Sequence, residues 1–346
     1  MMDIIIRKSG KAGHITLNRP KALNALTWEM CTAIEDAIDV WRDDDAVKLI
    51  VIDGAGDRAF CSGGDIADMY ASGQARDYDY GRNFWRDEYR LNAKLANYPK
   101  PIVTFLHGFT MGGGVGVGCH ASHRIVCESS QIAMPECGIG LVPDVGGTLL
   151  LANAPGFLGT YLGVTGDRMD AGDAIFAGFA DNFVAQDQWD GLKLALCETG
   201  TVDVIAPQSA PASQLAKSQS IIDDAFAYDH LSEIYSNLPT ILPAPLDHAK
   251  KLMDRNSPLA MACAVPLINA ARKTRKIEDA VEHEYRFTHR AVEHSDFIEG
   301  IRAAIIDRDR SPQWQHASWA DITADDINQM TAPLGIHALN LAGDMT

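Results

Sequence analysis

Five glycines fall within seven residues, at Gly112, Gly113, Gly114, Gly116 and Gly118, three residues after the strand-like run PIVTFLHG. This cluster constrains the fold more than any other stretch of the chain. A glycine inside a helix costs about 1 kcal/mol relative to alanine, so an ordinary structural helix does not accumulate them. Two arrangements tolerate the run. Either the helix packs very close to a sheet, which suits Gly116 and Gly118, or its first turn presents bare backbone N–H groups to a ligand. The second suits the leading trio, because first-turn amides have no partner within the helix. Both arrangements need a strand feeding a glycine turn and a helix.

A second glycine loop, AFCSGGD at residues 59–65, also follows a strand signal. Each loop alone is a common turn composition. Two such loops at strand ends can aim one N–H apiece at a single oxygen, the arrangement of an oxyanion hole.

The flanking sequence keeps the same rhythm. DIIIRKS and HITLNRP read as strands around a Gly10–Gly13 turn, and TWEMCTAIEDAIDVWRDD reads as a helix with Thr27 as N-cap. KLIVIDGAG, PIVTFLHG, HRIVCES and QIAMPE read as further strands, and NFWRDEYRLNAKLANYP as a helix stopping before Pro99. Repeated strand-then-helix order predicts an α/β fold. After about Val184 the strands thin out. APQSAPASQLAKSQS reads as a linker-like surface stretch. PLDHAKKLMD, SPLAMACAVPLINAARK with Ser257 as N-cap, EDAVEHEYRFTHRAVEHS and DFIEGIRAAII read as helices. The expected organisation is an α/β core over residues 1–195 and a mostly helical C-terminal region over 196–346.

Composition narrows the function. Hydrophobic residues make up 47% of the 346, enough for a packed core, and the net charge is -16. Such a field repels nucleic acid, while a small anionic ligand can still be held by local cations and helix N-termini. The seven cysteines show no CxxC spacing, which argues against a disulfide framework or a zinc knuckle. MMDIIIRKSG lacks the pattern of a signal peptide, and no apolar run is long enough to span a bilayer. The expected localisation is cytoplasmic, with no membrane partner.

Two carboxylates, Glu136 and Asp144, sit in MPECGIGLVPDVGG among apolar residues and glycines. Read from the local sequence alone, Asp144 is a helix N-cap before VGGTLLLANA, and Glu136 is either a strand-end acid facing water or a functional acid in a half-buried segment. Glu88 lies in a charged helix, where most glutamates are solvated. His120 and His123 lack a nearby third ligand for a metal. Cys61 and Cys137 read as packing residues, with no basic neighbour in sequence to activate them.

ITLNRPKALNAL, AFCSGGDI, GFTMGGGVG and MPECGIGLVPDVGGT stand in the order and spacing of the crotonase (enoyl-CoA hydratase/isomerase) superfamily. The resemblance covers residues 3–185 and continues more loosely to DFIEGIRAAIIDRDRSPQW. Within the superfamily the chain resembles the 3-hydroxyisobutyryl-CoA hydrolase branch. Gly116 stands where hydratases carry a catalytic glutamate, Asp144 where they carry a small residue, and RDEYRLN precedes the glycine strand.

The resemblance implies a coiled β-spiral core with a helical C-terminal part, and a CoA thioester as the small-molecule substrate. It implies oxyanion-hole amides at Gly64 and Gly113 and catalytic acids at Glu136 and Asp144. Substrate contacts are implied at Glu88, Gly64, Asp65 and Ile66, and at the turn Lys21, Ala22 and Leu23. Arg308 is a candidate for a CoA phosphate. No metal or redox cofactor is expected, since CoA arrives with the substrate. The superfamily often trimerises, so a homo-oligomer is an option. The activity implied is hydrolysis of a short β-hydroxyacyl-CoA, foremost 3-hydroxyisobutyryl-CoA in valine breakdown. The alternatives are an enoyl-CoA hydratase or isomerase, and a non-catalytic acyl-CoA-binding protein.

Overall fold

The computed structural model describes residues 2–341. The chain divides into two compact units, and they interleave along the sequence. The first comprises Met1–Gly64, Arg90–Ala133 and Arg168–Gln214, the second Asp65–Tyr89, Met134–Asp167 and Leu215–Thr346. The single boundary near residue 195 read from the sequence follows chain order, whereas compactness groups residues 65–89 and 134–167 with the C-terminal helices. The helix Trp189–Thr199 also runs across that boundary without a break.

The first unit is built on two sheets. Strands β1 (Ile4–Ser9), β2 (Ala12–Leu17), β3 (Leu49–Gly54), β5 (Ile102–Leu106), β7 (His123–Val126) and β9 (Asn182–Phe183) form one sheet in the order β1-β2-β3-β5-β7-β9. Strands β4 (Ala59–Cys61), β6 (Phe109–Met111) and β8 (Gln131–Ala133) form a smaller one. Among the described strand pairs, β1 with β2 is antiparallel and the others are parallel. The registers Ile50↔Ile102, Val103↔His123, Ala59↔Phe109 and Phe109↔Gln131 follow from one pattern: each turn of chain lays one strand in the large sheet and the next in the small one. That is the coiled spiral expected from the resemblance.

The strand composition follows from this. Leu49, Ile50, Val51 and Ile52 are all fully buried, because both faces of a parallel sheet are covered. One face packs Leu49, Val51, Val103, Phe105 and Ile125 against Trp189 and Leu196. The crossover helix Trp28–Arg42 starts where Thr27 predicts, with its hydroxyl accepting the Met30 amide at 3.2 Å.

The second unit is helical around Pro258–Thr274, whose residues are buried on nearly every side, the pattern of a central helix. Ser257 caps it, accepting the Ala260 amide at 3.1 Å. The helices Gly147–Asn153, Leu158–Thr165 and Ile277–His294 pack against it. Two local expectations need correction. APQSAPASQLAKSQS is irregular only at its start, because Gln214–Phe226 is a helix that buries Leu215, Ile222, Ala225 and Phe226. QIAMPE ends as a strand at Ala133, since Pro135 leads the chain into the 3-10 turn Glu136–Ile139.

Candidate active site

In the first unit, β4 and β6 run parallel, so the loops at their C-terminal ends leave the same edge of the small sheet. One carries Gly63 and Gly64. A Cβ on Gly63 would lie 3.4 Å from the Met111 carbonyl oxygen, next to the other loop. The Leu26 amide donates to the Gly63 carbonyl at 2.9 Å, and Leu26 and Gly64 form a parallel bridge. In such a bridge the Gly64 N–H faces away from Leu26.

The second loop turns at Gly112, with φ at 50°, into the helix Gly113–Gly118. Gly113 opens that helix, so its N–H has no acceptor within it. The leading trio therefore divides its roles. A Cβ on Gly114 would meet the Cys61 carbonyl oxygen at 2.3 Å, and one on Gly118 would meet Leu106 and Phe60 at 2.7 and 2.9 Å. Gly114 thus belongs with the close-packing glycines, and the Gly113 amide stands at the start of the helix with no acceptor inside it.

The turn bearing Lys21, Ala22 and Leu23 adjoins the Gly64 loop. The Ser62 amide donates to the Leu23 carbonyl at 3.0 Å. Asn24, fully buried, ties the turn down: its side chain donates to the carbonyls of Ala55 and Ala59 at 2.9 and 2.8 Å and accepts the Arg19 amide at 2.9 Å. Lys21 stays exposed. Asn24 was visible in LNRPKALNAL and was passed over, although an asparagine inside an apolar stretch at a turn signals a side chain that bonds the backbone. Cys61 is buried here.

In the second unit, Glu88, Glu136, Asp144 and Glu284 form a buried acid cluster, with 2%, 5%, 4% and 0% of their surface exposed. Both local alternatives fail. Glu136 does not face water, and Asp144 is not a cap. The cap position of the helix Gly147–Asn153 is Gly146, with φ at 76° and no side chain to offer. Its amides are met by Glu284, which accepts from Gly146 N at 2.7 Å and Thr148 N at 3.0 Å. The Thr148 hydroxyl joins the same carboxyl. Asp144 instead accepts the Tyr89 hydroxyl at 2.7 Å.

One oxygen of Glu88 and one of Glu136 are buried without a hydrogen-bond partner. Glu136 is fixed through its backbone, its carbonyl accepting the Leu141 amide at 3.1 Å.

Burial and mutual repulsion govern how these acids hold protons. Desolvation, then the Asp144 charge, pushes Glu136 and Glu88 well above the usual carboxylate range. Burial raises Glu284 to about 8 against the pull of its Thr148 and Gly146 hydrogen bonds. Asp144 rises to about 7, held back by the Tyr89 hydroxyl. Burial also pushes the Cys137 thiol up, which keeps it an inert packing group.

Asp65 and Ile66 lead into the helix Ala67–Gln74 of this unit. Arg308 is exposed, with its Nε donating to the Ile305 carbonyl at 3.1 Å, and no recorded contact joins it to the acids. Among the described residues, no three His, Cys, Asp or Glu side chains are placed to hold one metal ion.

The spiral of paired sheets, the glycine amides and the buried acids define a class of acyl-CoA enzyme. Residues 12–331 match the enoyl-CoA hydratase/isomerase family, and the chain belongs to that family. Among its relatives, the mitochondrial 3-hydroxyisobutyryl-CoA hydrolase of Mus musculus is 35% identical over 96% of this chain and 89% of its own. The protein of the same name from Homo sapiens is 34% identical over 96% and 89%. A crystal structure described as an enoyl-CoA hydratase from Rhodobacter sphaeroides 2.4.1 superimposes with a TM-score of 0.95 at 50% identity, covering 98% of this chain and all of its own. One described as a carnitinyl-CoA dehydratase from Mycobacterium thermoresistibile gives 0.94 at 38% identity, covering 99% of this chain and all of its own.

Proposed function

We propose that this protein hydrolyses a short β-hydroxyacyl-CoA thioester, foremost 3-hydroxyisobutyryl-CoA, in the breakdown of valine. The observation that carries the reading is the Glu136–Asp144 pair, two acids buried together in one cluster and both pushed toward the protonated form by burial. The hydrolase relatives support the choice of substrate.

The reaction needs a polarised carbonyl and groups that move protons. The Gly64 and Gly113 amides suit polarising a carbonyl, since fixed donors stabilise the negative charge that grows on its oxygen. The acids supply proton transfer and a nucleophile. Burial and the neighbouring Asp144 charge favour the protonated form of Glu136, and the Tyr89 hydroxyl favours the ionised form of Asp144. Two routes balance. In one, Asp144 takes a proton from water, the hydroxide oxygen bonds to the acyl carbon, the C–S bond breaks, and the thiolate takes a proton from Glu136. In the other, Asp144 takes the Glu136 proton, the Glu136 carboxylate bonds to the acyl carbon, the C–S bond breaks, and the thiolate takes that proton from Asp144; Asp144 then takes a proton from water, whose oxygen bonds to the acyl carbon of the anhydride and releases the Glu136 carboxylate. The unpartnered oxygens of Glu88 and Glu136 are acceptors for the substrate β-hydroxyl or the water.

The hydratase names among the solved structures raise a second reading. That chemistry uses two glutamates sharing one water, and the resemblance puts the second at position 116. Gly116 is a buried glycine inside a helix and offers no side chain. A pure acyl-CoA binder would have no use for a buried acid pair, which is costly to keep. Free thiol from 3-hydroxyisobutyryl-CoA and loss of enoyl absorbance from crotonyl-CoA should be followed in parallel. Thiol release is expected. Fast loss of the enoyl signal with no thiol would overturn the hydrolase reading.

The reading needs no metal or redox cofactor. The cytoplasmic location is likewise proposed from the sequence, and cell fractionation tests it.

A further inference from the structure

Glu284 is fully buried, and the reaction written above gives it no step. It sits on the helix Ile277–His294, far in sequence from the acids it joins. Its two oxygens replace the cap that Gly146 cannot provide, and they hold the turn running directly from Asp144. Within that turn Val145 has φ at 54° and Gly146 at 76°, two consecutive left-handed residues. A β-branched residue adopts that conformation only under constraint. The Gly147 amide closes the turn on the Asp144 carbonyl at 2.6 Å.

The same helix reaches the Asp144 side chain. Thr288 lies one turn beyond Glu284, and its hydroxyl is 3.3 Å from the Tyr89 hydroxyl. Tyr89 in turn donates to Asp144. The backbone and the carboxylate of Asp144 are thus both tied to one rigid element.

We propose that Glu284 is a positioning residue for the hydrolysis: by accepting the Gly146 and Thr148 amides it sets the strained turn that aims Asp144, while Thr288 on the same helix backs the Tyr89 hydroxyl. This inference rests on the hydrolase reading. Glu284→Gln keeps the shape but leaves one acceptor oxygen for two amides. Misplacing a reacting group lowers turnover on the order of tenfold to a hundredfold. The expected result is that fall in kcat, with KM and CoA affinity close to wild type.

A double-mutant cycle with Asp144→Asn separates positioning from general destabilisation. If Glu284 acts through Asp144, adding Glu284→Gln to Asp144→Asn should cost little further turnover. Wild-type turnover in Glu284→Gln, or a loss carried in full into the Asp144→Asn background, overturns the proposal. Should Glu284→Gln fail to fold, Thr148→Val loosens the same carboxyl and enters the same cycle with the same two refuting results. Amide hydrogen exchange at Gly146–Thr148 needs no substrate. Exchange as slow in Glu284→Gln as in wild type overturns the claimed hold on the turn. Wild-type protein that releases no thiol from the ester overturns the hydrolase reading and the catalytic role with it, while exchange still reports whether Glu284 holds the turn.

Discussion

Tyr89→Phe removes one hydroxyl from the acid cluster and tests how Asp144 is tuned. Tyr89 is fully buried, and its hydroxyl donates to Asp144 at 2.7 Å. A hydrogen bond to a carboxylate favours the ionised form, so losing it moves the Asp144 pKa upward. A bond to a charged group contributes about 1.5–3 kcal/mol. With about 1.4 kcal/mol per pKa unit, that is a rise of roughly one to two units. Burial already holds Asp144 at about 7 in the intact site. The acid limb of the rate profile, which belongs to the coupled acids together, should therefore shift toward alkaline pH by about one to two units. At pH 7 the ionised fraction would drop from about a half to roughly a tenth or less. Turnover should recover as pH rises, since the base is withheld rather than lost. The assay is free-thiol release from 3-hydroxyisobutyryl-CoA across pH 5–9. An acid limb that stays in place, or a loss equal at every pH, would refute the claim that the hydroxyl sets the proton affinity of Asp144.

Gly113→Pro removes the proposed donor at the first helical position, where proline is otherwise tolerated, and should slow turnover about a hundredfold or more while CoA still binds; wild-type turnover in the folded variant rules Gly113 out. Glu136→Gln keeps shape and removes the titrating group, so hydrolysis should collapse with CoA affinity retained, and a loss of CoA affinity instead would make Glu136 a binding residue. Dialysis against a chelator should leave thiol release unchanged; a loss restored by a divalent ion would show that a metal takes part. Glu284 has a folded-state pKa raised from 4.5 to about 8, so the stability it contributes is full below about 4.5 and lost as pH rises through about 8. The melting temperature of Glu284→Gln relative to wild type should therefore climb from pH 5 to 8, and a flat or falling difference would contradict the raised pKa.

The glycine turns were readable because their constraints are local. A strand end, a glycine that must turn, and a helix that must come close leave a signature within a dozen residues. The close packing of Gly114 was not readable, because the atom it must avoid, the Cys61 carbonyl, belongs to a different strand. No spacing within MGGGVG reports that neighbour. Asn24 is a different case: its partners at Ala55 and Ala59 are distant, yet its own type and place already marked it.

The acids divide in the same way. Asp144 could not be distinguished from an N-cap by its own sequence, because what decides the matter is Glu284 occupying the amides and Tyr89 occupying the carboxylate. Helical periodicity was the unused signal. Trp85, Glu88 and Tyr89 follow three- and four-residue spacing on one buried face of Tyr78–Ala96. Ala280, Val281, Glu284, Thr288 and Ala291 do so on Ile277–His294. A glutamate in the middle of an apolar stripe is either a folding liability or a group with partners in the interior. The average charge of those helices hides it, whereas the charge at each helical phase exposes it. Glu88 and Glu284 both stand at that phase, and both join the cluster around Asp144.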